Sequence, residues 1–319
     1  MMQAKLLFLS TLIFLLMTAK VTAQQSYVMA VDWNSDSTQI LQAFNTGVIE
    51  VVTVESNEII LHIELDGIFR AMLWHPLEPD QFALAFDSFE TRHPTITIYD
   101  AASGNILVTH DFETSTMLSN YISAFAWSPD GRLFAIGIDF VTSPNLNRDI
   151  EVIDARSGRT INHIIPGRYG STHIDWSPDG ESLVITTEDG RITVWQALRS
   201  ERRYTLTDYP ADKATWSPDG DWLVAVDTEA NSVIQIWNSR GGQLSLTIPD
   251  IAVIAMDWHP ESRYFATTAG QNSLTIWSAL TASLFREIEF DSEIYALAWS
   301  PDGTRLALGT VDGTRIIEI

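Results

Sequence analysis

No cysteine occurs in the 319 residues, so neither a disulfide nor a thiolate-bound metal can hold this chain together. Lysine is nearly missing too, with only Lys5, Lys20 and Lys213 present. The formal charge is −22. A chain this short of cations cannot grip a phosphate backbone, which excludes nucleic acid as the expected partner. Other absences narrow the chemistry. There is no Gly-x-Ser-x-Gly elbow and no glycine-rich phosphate loop, the usual signs of a hydrolase or a nucleotide site. The seven histidines are His62, His75, His93, His110, His163, His173 and His259, and no two stand at a metal-ligand spacing such as His-x-x-x-His. No catalytic residue, metal or cofactor is therefore expected.

The apolar run Leu6 to Met17 follows a lone Lys5 and precedes the small residues Val21-Thr22-Ala23. At about 12 residues it falls short of the roughly 20 that span a bilayer. It reads as a secretory signal over residues 1–23, cut after Ala23. The expectation is an exported protein, secreted or periplasmic, of residues 24–319 with no membrane span once the signal is gone. No cysteine follows the run to carry a lipid.

What the chain has in abundance is one repeated phrase. "AFAWSPDGRLFAIG", which starts at Ala124, returns as "IDWSPDGESLVIT", "ATWSPDGDWLVAV" and "LAWSPDGTRLALG". Aligning on the recurrent tryptophan gives Trp33, Trp74, Trp127, Trp176, Trp216, Trp258 and Trp299, at spacings of 41, 53, 49, 40, 42 and 41 residues. That makes seven units. Within each, short runs rich in Val, Ile, Thr and Trp alternate with turn signals, the pattern of antiparallel strands. "SPDG" is hairpin chemistry: Pro presets φ, Asp is favoured after it, and Gly takes the left-handed conformation that returns the chain. Asp130, Asp179, Asp219 and Asp302 therefore read as turn residues and not as metal ligands.

A four-stranded unit of about 40 residues cannot bury both faces, whereas seven arranged radially around an axis can. The pattern resembles the WD40-repeat β-propellers, which share the period, the Trp-Ser-Pro-Asp-Gly turn and an aromatic near the end of the third strand. Here those aromatics are Tyr99, Trp195, Trp237 and Trp277. The fold expected is all-β, a seven-bladed propeller of four-stranded antiparallel blades. Departures from the family are clear. Blade one reads "WNSDS", Trp74 and Trp258 precede His-Pro, and the Trp-Asp pair is never complete. The family's Gly-His pair is missing. Asp66, Asp208, Asp250 and Asp291 stand eight residues before their tryptophans instead, and are expected to cap the interblade loops through backbone N–H groups. His75 and His259 read as turn residues. Few residues precede the first strand and the chain stops at Ile319, so the closing blade is expected to have three strands.

Function follows the long inserts "DSFETRHPT", "HDFETSTMLSNY" and "DFVTSPNLNRD" of blades two and three. All three should open on one face, where loops on a rigid scaffold carry binding residues. They supply Phe89, Arg92, His93, Phe112, Met117, Tyr121, Phe140, Leu146 and Arg148, residue types that favour protein interfaces. What the resemblance implies is a non-catalytic monomeric scaffold that binds a protein or peptide there. The competing reading is an exported propeller enzyme, lactonase-like or quinone-dependent dehydrogenase-like, with a metal or cofactor at one channel mouth. Asp32, Asp175 and Asp257, each just before a tryptophan, could line such a channel and hold a cation. As strand ends beside a turn, they are expected simply to face water.

Overall fold

Each recurrent tryptophan ends the first strand of its own sheet. In the computed structural model, which describes residues 25–112, 120–140, 149–167, 169–206, 210–227, 233–249, 251–268 and 272–319, these strands are Val28–Trp33, Gly67–Trp74, Asn120–Trp127, Ser171–Trp176, Lys213–Trp216, Ala255–Trp258 and Ile294–Trp299. The expected signal over residues 1–23 lies outside the described residues. Every sheet is an antiparallel meander in chain order: six have four strands and the last has three. The chain is thus a seven-bladed propeller with a three-stranded closing blade.

Burial follows from where each strand sits. Second strands are covered on both faces by neighbouring blades and read as continuous apolar runs, as in the wholly buried Ser182–Thr187. Outer strands alternate: Gln243–Ile248 exposes Gln243, Ser245 and Thr247 and turns Leu244, Leu246 and Ile248 inward. Among the described residues one apolar cluster lies between every two successive blades, seven in all. Burying a side chain such as Trp237 or Phe265 contributes about 1.5–3 kcal/mol, and these clusters are what join the blades.

The Ser-Pro-Asp-Gly turns form as the residue types dictate. In blade three Ser128 Oγ donates to Asp130 Oδ1 (2.6 Å), Arg132 N donates to the same carboxylate (3.1 Å), and Leu133 N donates to Ser128 Oγ (2.9 Å). Gly131 sits at φ +67°, a conformation that suits glycine. The same bonds recur at Ser177 and Asp179, Ser217 and Asp219, and Ser300 and Asp302. These hydrogen bonds hold the carboxyl of Asp302 well below the ordinary aspartate range.

His75 and His259 also take turn positions. Nδ1 of His75 accepts from Leu77 N and Glu78 N at 3.2 and 3.0 Å, and that of His259 accepts from Glu261 N at 3.0 Å. Each ring meets the next blade as well, with Nε2 donating to the carbonyl of Gly131 (3.2 Å) or Gly303 (3.1 Å). Burial pushes the pKa of His75 below its usual value, which keeps this two-sided link neutral.

Blade seven meets blade one through polar stitches. Trp33 Nε1 donates to Ala298 O (3.0 Å), Arg305 Nη2 to Ser37 O (2.8 Å) and Thr314 Oγ1 to Gln42 Oε1 (2.6 Å). The Arg305 guanidinium lies over the Trp33 indole, 4.9 Å from the ring centroid. The apolar cluster of this seam, with Trp33, Ile40, Ala298 and Ala307 buried, is the smallest of the seven among the described residues.

Candidate functional site: the channel mouth of blades two to four

First strands start, second strands end and third strands start on one face of the disc: Gly67 pairs with Ser88 and Asp87 with Pro94. On that face the first strands of blades two, three and four enclose a cavity of ≈ 330 Å³, lined by Phe69, Arg70, Tyr121, Ser123, Asp139, Ser171, Thr172 and Glu188 among others. Arg70 Nε donates to Asp87 Oδ2 (2.7 Å), and its guanidinium lies 4.8 Å from the Tyr121 ring centroid. The other Asp87 oxygen accepts from Ile122 N (3.2 Å), so one carboxylate fixes both Arg70 and the strand carrying Tyr121. Ser123 and Ser171 meet across blades three and four at 3.0 Å, and Thr172 Oγ1 donates to Asp212 O of the following loop (2.8 Å). Gly137 makes this possible: a Cβ there would lie 2.0 Å from Ser171 Oγ and 2.8 Å from Ser123 Oγ. The pocket thus combines one cation, the two carboxyls of Asp139 and Glu188, hydroxyls and an aromatic wall, a mixture suited to polar groups of a bound chain.

Of the residues singled out in the sequence, Tyr121 lines this pocket. Phe89, Arg92 and His93 sit on the tight turn joining the second and third strands of blade two, where Arg92 N donates to Ser88 O (3.0 Å) and Ser88 N to His93 O (3.1 Å). Phe89 is 61 % exposed there, and Arg92 holds a positive φ of 61°. Phe112 packs instead against the core between blades two and three. Met117, the side chain of Phe140, Leu146 and Arg148 lie outside the described residues.

Sequence reasoning missed Arg70, Ser123 and Thr172. All three stand four residues before their tryptophan, and the repeat alignment could have isolated that position as the one facing the mouth.

Asp32, Asp175 and Asp257 do not simply face water. Each lies half-buried and reaches forward to the next blade: Oδ2 of Asp32 accepts from Trp74 N (2.7 Å), that of Asp175 from Trp216 N (2.8 Å), and that of Asp257 from Trp299 N (2.7 Å). The residue before the tryptophan lies beside the seam, where the neighbouring backbone offers an unpaired N–H. Burial, reinforced by the charge of Asp257, raises the carboxyls of Asp32 and Asp175 to about 7. Burial raises that of Asp257 to about 6 despite its two backbone hydrogen bonds. Among the described residues no three His, Asp or Glu side chains gather as a metal site.

Blades five and six are linked by Lys213, whose Nζ donates to Ile254 O (3.2 Å) and whose pKa burial lowers. Two of the four expected loop caps lie among the described residues, and neither forms. Asp291 is exposed and meets Arg315 (3.2 Å), and among the described residues the Asp66 side chain binds no loop N–H. Asp208 and Asp250 lie outside the described residues.

Residues 160–196 and 285–314 match the family described as "WD domain, G-beta repeat". The chain is 24% identical over 260 residues to WD repeat-containing protein slp1 of Schizosaccharomyces pombe, a match covering 68% of this chain and 52% of that protein. It is 24% identical over 255 residues to Periodic tryptophan protein 2 of Arabidopsis thaliana, covering 75% and 27%. Over 153 residues it is 22% identical to an Intraflagellar transport protein 80 homolog of Rattus norvegicus, covering 45% and 18%. The chain thus spans about half or less of the length of these curated relatives.

Proposed function

For a chain that is a WD40-repeat β-propeller, we propose that the role is that of an exported, non-catalytic scaffold which binds a protein or peptide on the insert-bearing face of blades two to four. The observation that carries this reading is the coincidence of two features. The pocket walled by Arg70, Tyr121, Ser123 and Thr172 opens on the same face as the exposed turn carrying Phe89 and Arg92. A rigid polar pocket next to an exposed aromatic and a cation offers both an anchor and a rim. The similarity to WD-repeat proteins supports the scaffold reading.

The test is capture of partners from the envelope fraction or medium of the native host. F89A combined with R92A should reduce capture at least ~10-fold, the equivalent of ~1.4 kcal/mol. A paired change on the blade-six rim, L280A with F285A, should leave it intact. Equal capture by both variants removes the proposed face from consideration.

A further inference from the structure

One position of the repeat is filled differently in blade four. The first residue of the second strand is Gln39, Gln81, Leu133, Trp222, Tyr264 or Arg305 in six blades, and Ser182 in blade four. This position faces the seam with the next blade. Leu133, Trp222 and Tyr264 pack against the apolar cluster there, and Arg305 lies over Trp33. Serine is too short for either. Beside it a cavity of ≈ 280 Å³ opens between blades four and five, walled by Trp216, Asp179, Asp219, Gly220 and Asp221 among others. Ser182 is fully buried against this cavity, and its Oγ has no hydrogen-bond partner. A buried hydroxyl in that state calls for an explanation, and a bound polar group supplies one. Trp216 is also the most exposed of the seven repeat tryptophans.

Blade seven shows what such a space takes. There the Arg305 guanidinium lies 4.9 Å from the Trp33 ring centroid, donates to Ser37 O (2.8 Å) and meets Asp302 Oδ2 (3.1 Å). In the seam of blades four and five the same places, counted from the tryptophans, belong to Trp216, Gly220 and Asp179. Gly220 holds a positive φ of 76° as Ser37 holds one of 62°, so the two turns bend alike. Asp179 Oδ1 accepts from Ser177 Oγ (2.5 Å) and Glu181 N (2.9 Å), as Oδ1 of Asp302 does in its own turn. Oδ2 is then the atom that corresponds to the one on Arg305. The two arginines at this cavity are exposed at its rim, Arg203 paired with Glu181 (3.2 Å) and Arg240 with Asp221 (2.9 Å). The wall keeps an excess of carboxylate, which favours a cation.

We infer that the seam of blades four and five is an arginine-binding pocket, in which a guanidinium carried by a protein or peptide partner lies flat on Trp216 and donates to Asp179 and to the Gly220 carbonyl. A flat, charged fork that stacks on an indole and donates in two directions is what distinguishes arginine from lysine. First strands end and second strands start on this side of the disc, so the pocket opens on the face away from Arg70 and Tyr121.

The probe is the capped tripeptide N-acetyl-Gly-Arg-Gly-amide, titrated into the full chain while the indole N–H signal of Trp216, assigned through W216F, is followed by NMR. The signal should shift and saturate, with a midpoint near ~1 mM for so small a ligand. The same peptide with lysine or citrulline in place of arginine should bind at least ~10-fold more weakly, because only the guanidinium is both charged and flat. D179N keeps the Oδ1 acceptor of the turn and should weaken the arginine peptide ~10-fold. S182R, which supplies the guanidinium from within as blade seven does, should abolish its binding; D179N decides alone if that variant does not fold. A response that never saturates, an equal response to the lysine or citrulline peptide, or unchanged binding in D179N or in folded S182R overturns the assignment. Binding of free arginine without binding of the capped peptide overturns it too, since the occupant is then not a partner's side chain. Probe and readout lie on the face away from the mouth pocket, so this outcome is independent of the capture experiment.

Discussion

A carboxylate that accepts two backbone N–H groups normally ionises more easily, yet Asp257 holds its proton to about pH 6, because burial outweighs those bonds. Asp32 and Asp175 hold theirs to about pH 7. An unfolded aspartate titrates near ~4, so folding raises the pKa of all three. The stability they contribute is fully present below about pH 4 and is lost as pH rises through 6 to 7. The triple variant D32N, D175N and D257N keeps an acceptor at each seam and removes the ionisation. Its unfolding free energy, read from urea titration, should match the parent near pH 4 and exceed it at pH 8, by on the order of 1 kcal/mol per site; parallel pH profiles would contradict this. Gly137 poses a purely steric question. G137A drives a methyl group to 2.0 Å from Ser171 Oγ, and overpacking of this kind costs about 1–3 kcal/mol. S171A added to G137A should restore much of the loss in a denaturation experiment; no recovery would mean that the serine pair is not the obstacle.

Turns and strands were the most legible elements, because their chemistry is local. Ser, Asp and Gly at fixed offsets from Trp127, Trp176, Trp216 and Trp299 specify a hairpin within five residues, and a sequence displays five residues directly. The seam carboxyls were not legible. Whether Asp175 faces water or Trp216 N depends on how two sheets 41 residues apart come together, and no pattern within one unit encodes that. The pocket failed for the same reason: Arg70, Ser123 and Thr172 belong to three units, and only the closed ring sets them side by side. His75 and His259 fall between these cases. They were recognised as turn residues, but their reach to Gly131 and Gly303 was not. H75A should lose about 1–2 kcal/mol of unfolding free energy, since two hydrogen-bonding roles vanish. H75S, which supplies the hydroxyl of the other turns, should recover only the local part. Full recovery in H75S would show that the bond to blade three contributes nothing.

Seven similar wedges make stability a matter of neighbours, so the thinnest joint should open first. Judged by the size of its apolar cluster, that joint is the seam of blades seven and one, where Arg305 binds Ser37 O and covers Trp33. R305A should lower the thermal midpoint and speed amide exchange first in Val28–Trp33 and Ile294–Trp299; loosening that begins in blades three and four would show that closure is not the weak point. The positions of the seam carboxyls matter on this scale too. They bridge blades one to two, four to five and six to seven, and so stand at both ends of the arc formed by blades two, three and four without interrupting it. Inside that arc, Trp176 Nε1 donates to Ala126 O (3.3 Å) and the neutral His75 spans the other joint. Protonation of these carboxyls therefore acts on the hoop at fastenings that flank the three wedges carrying the mouth pocket.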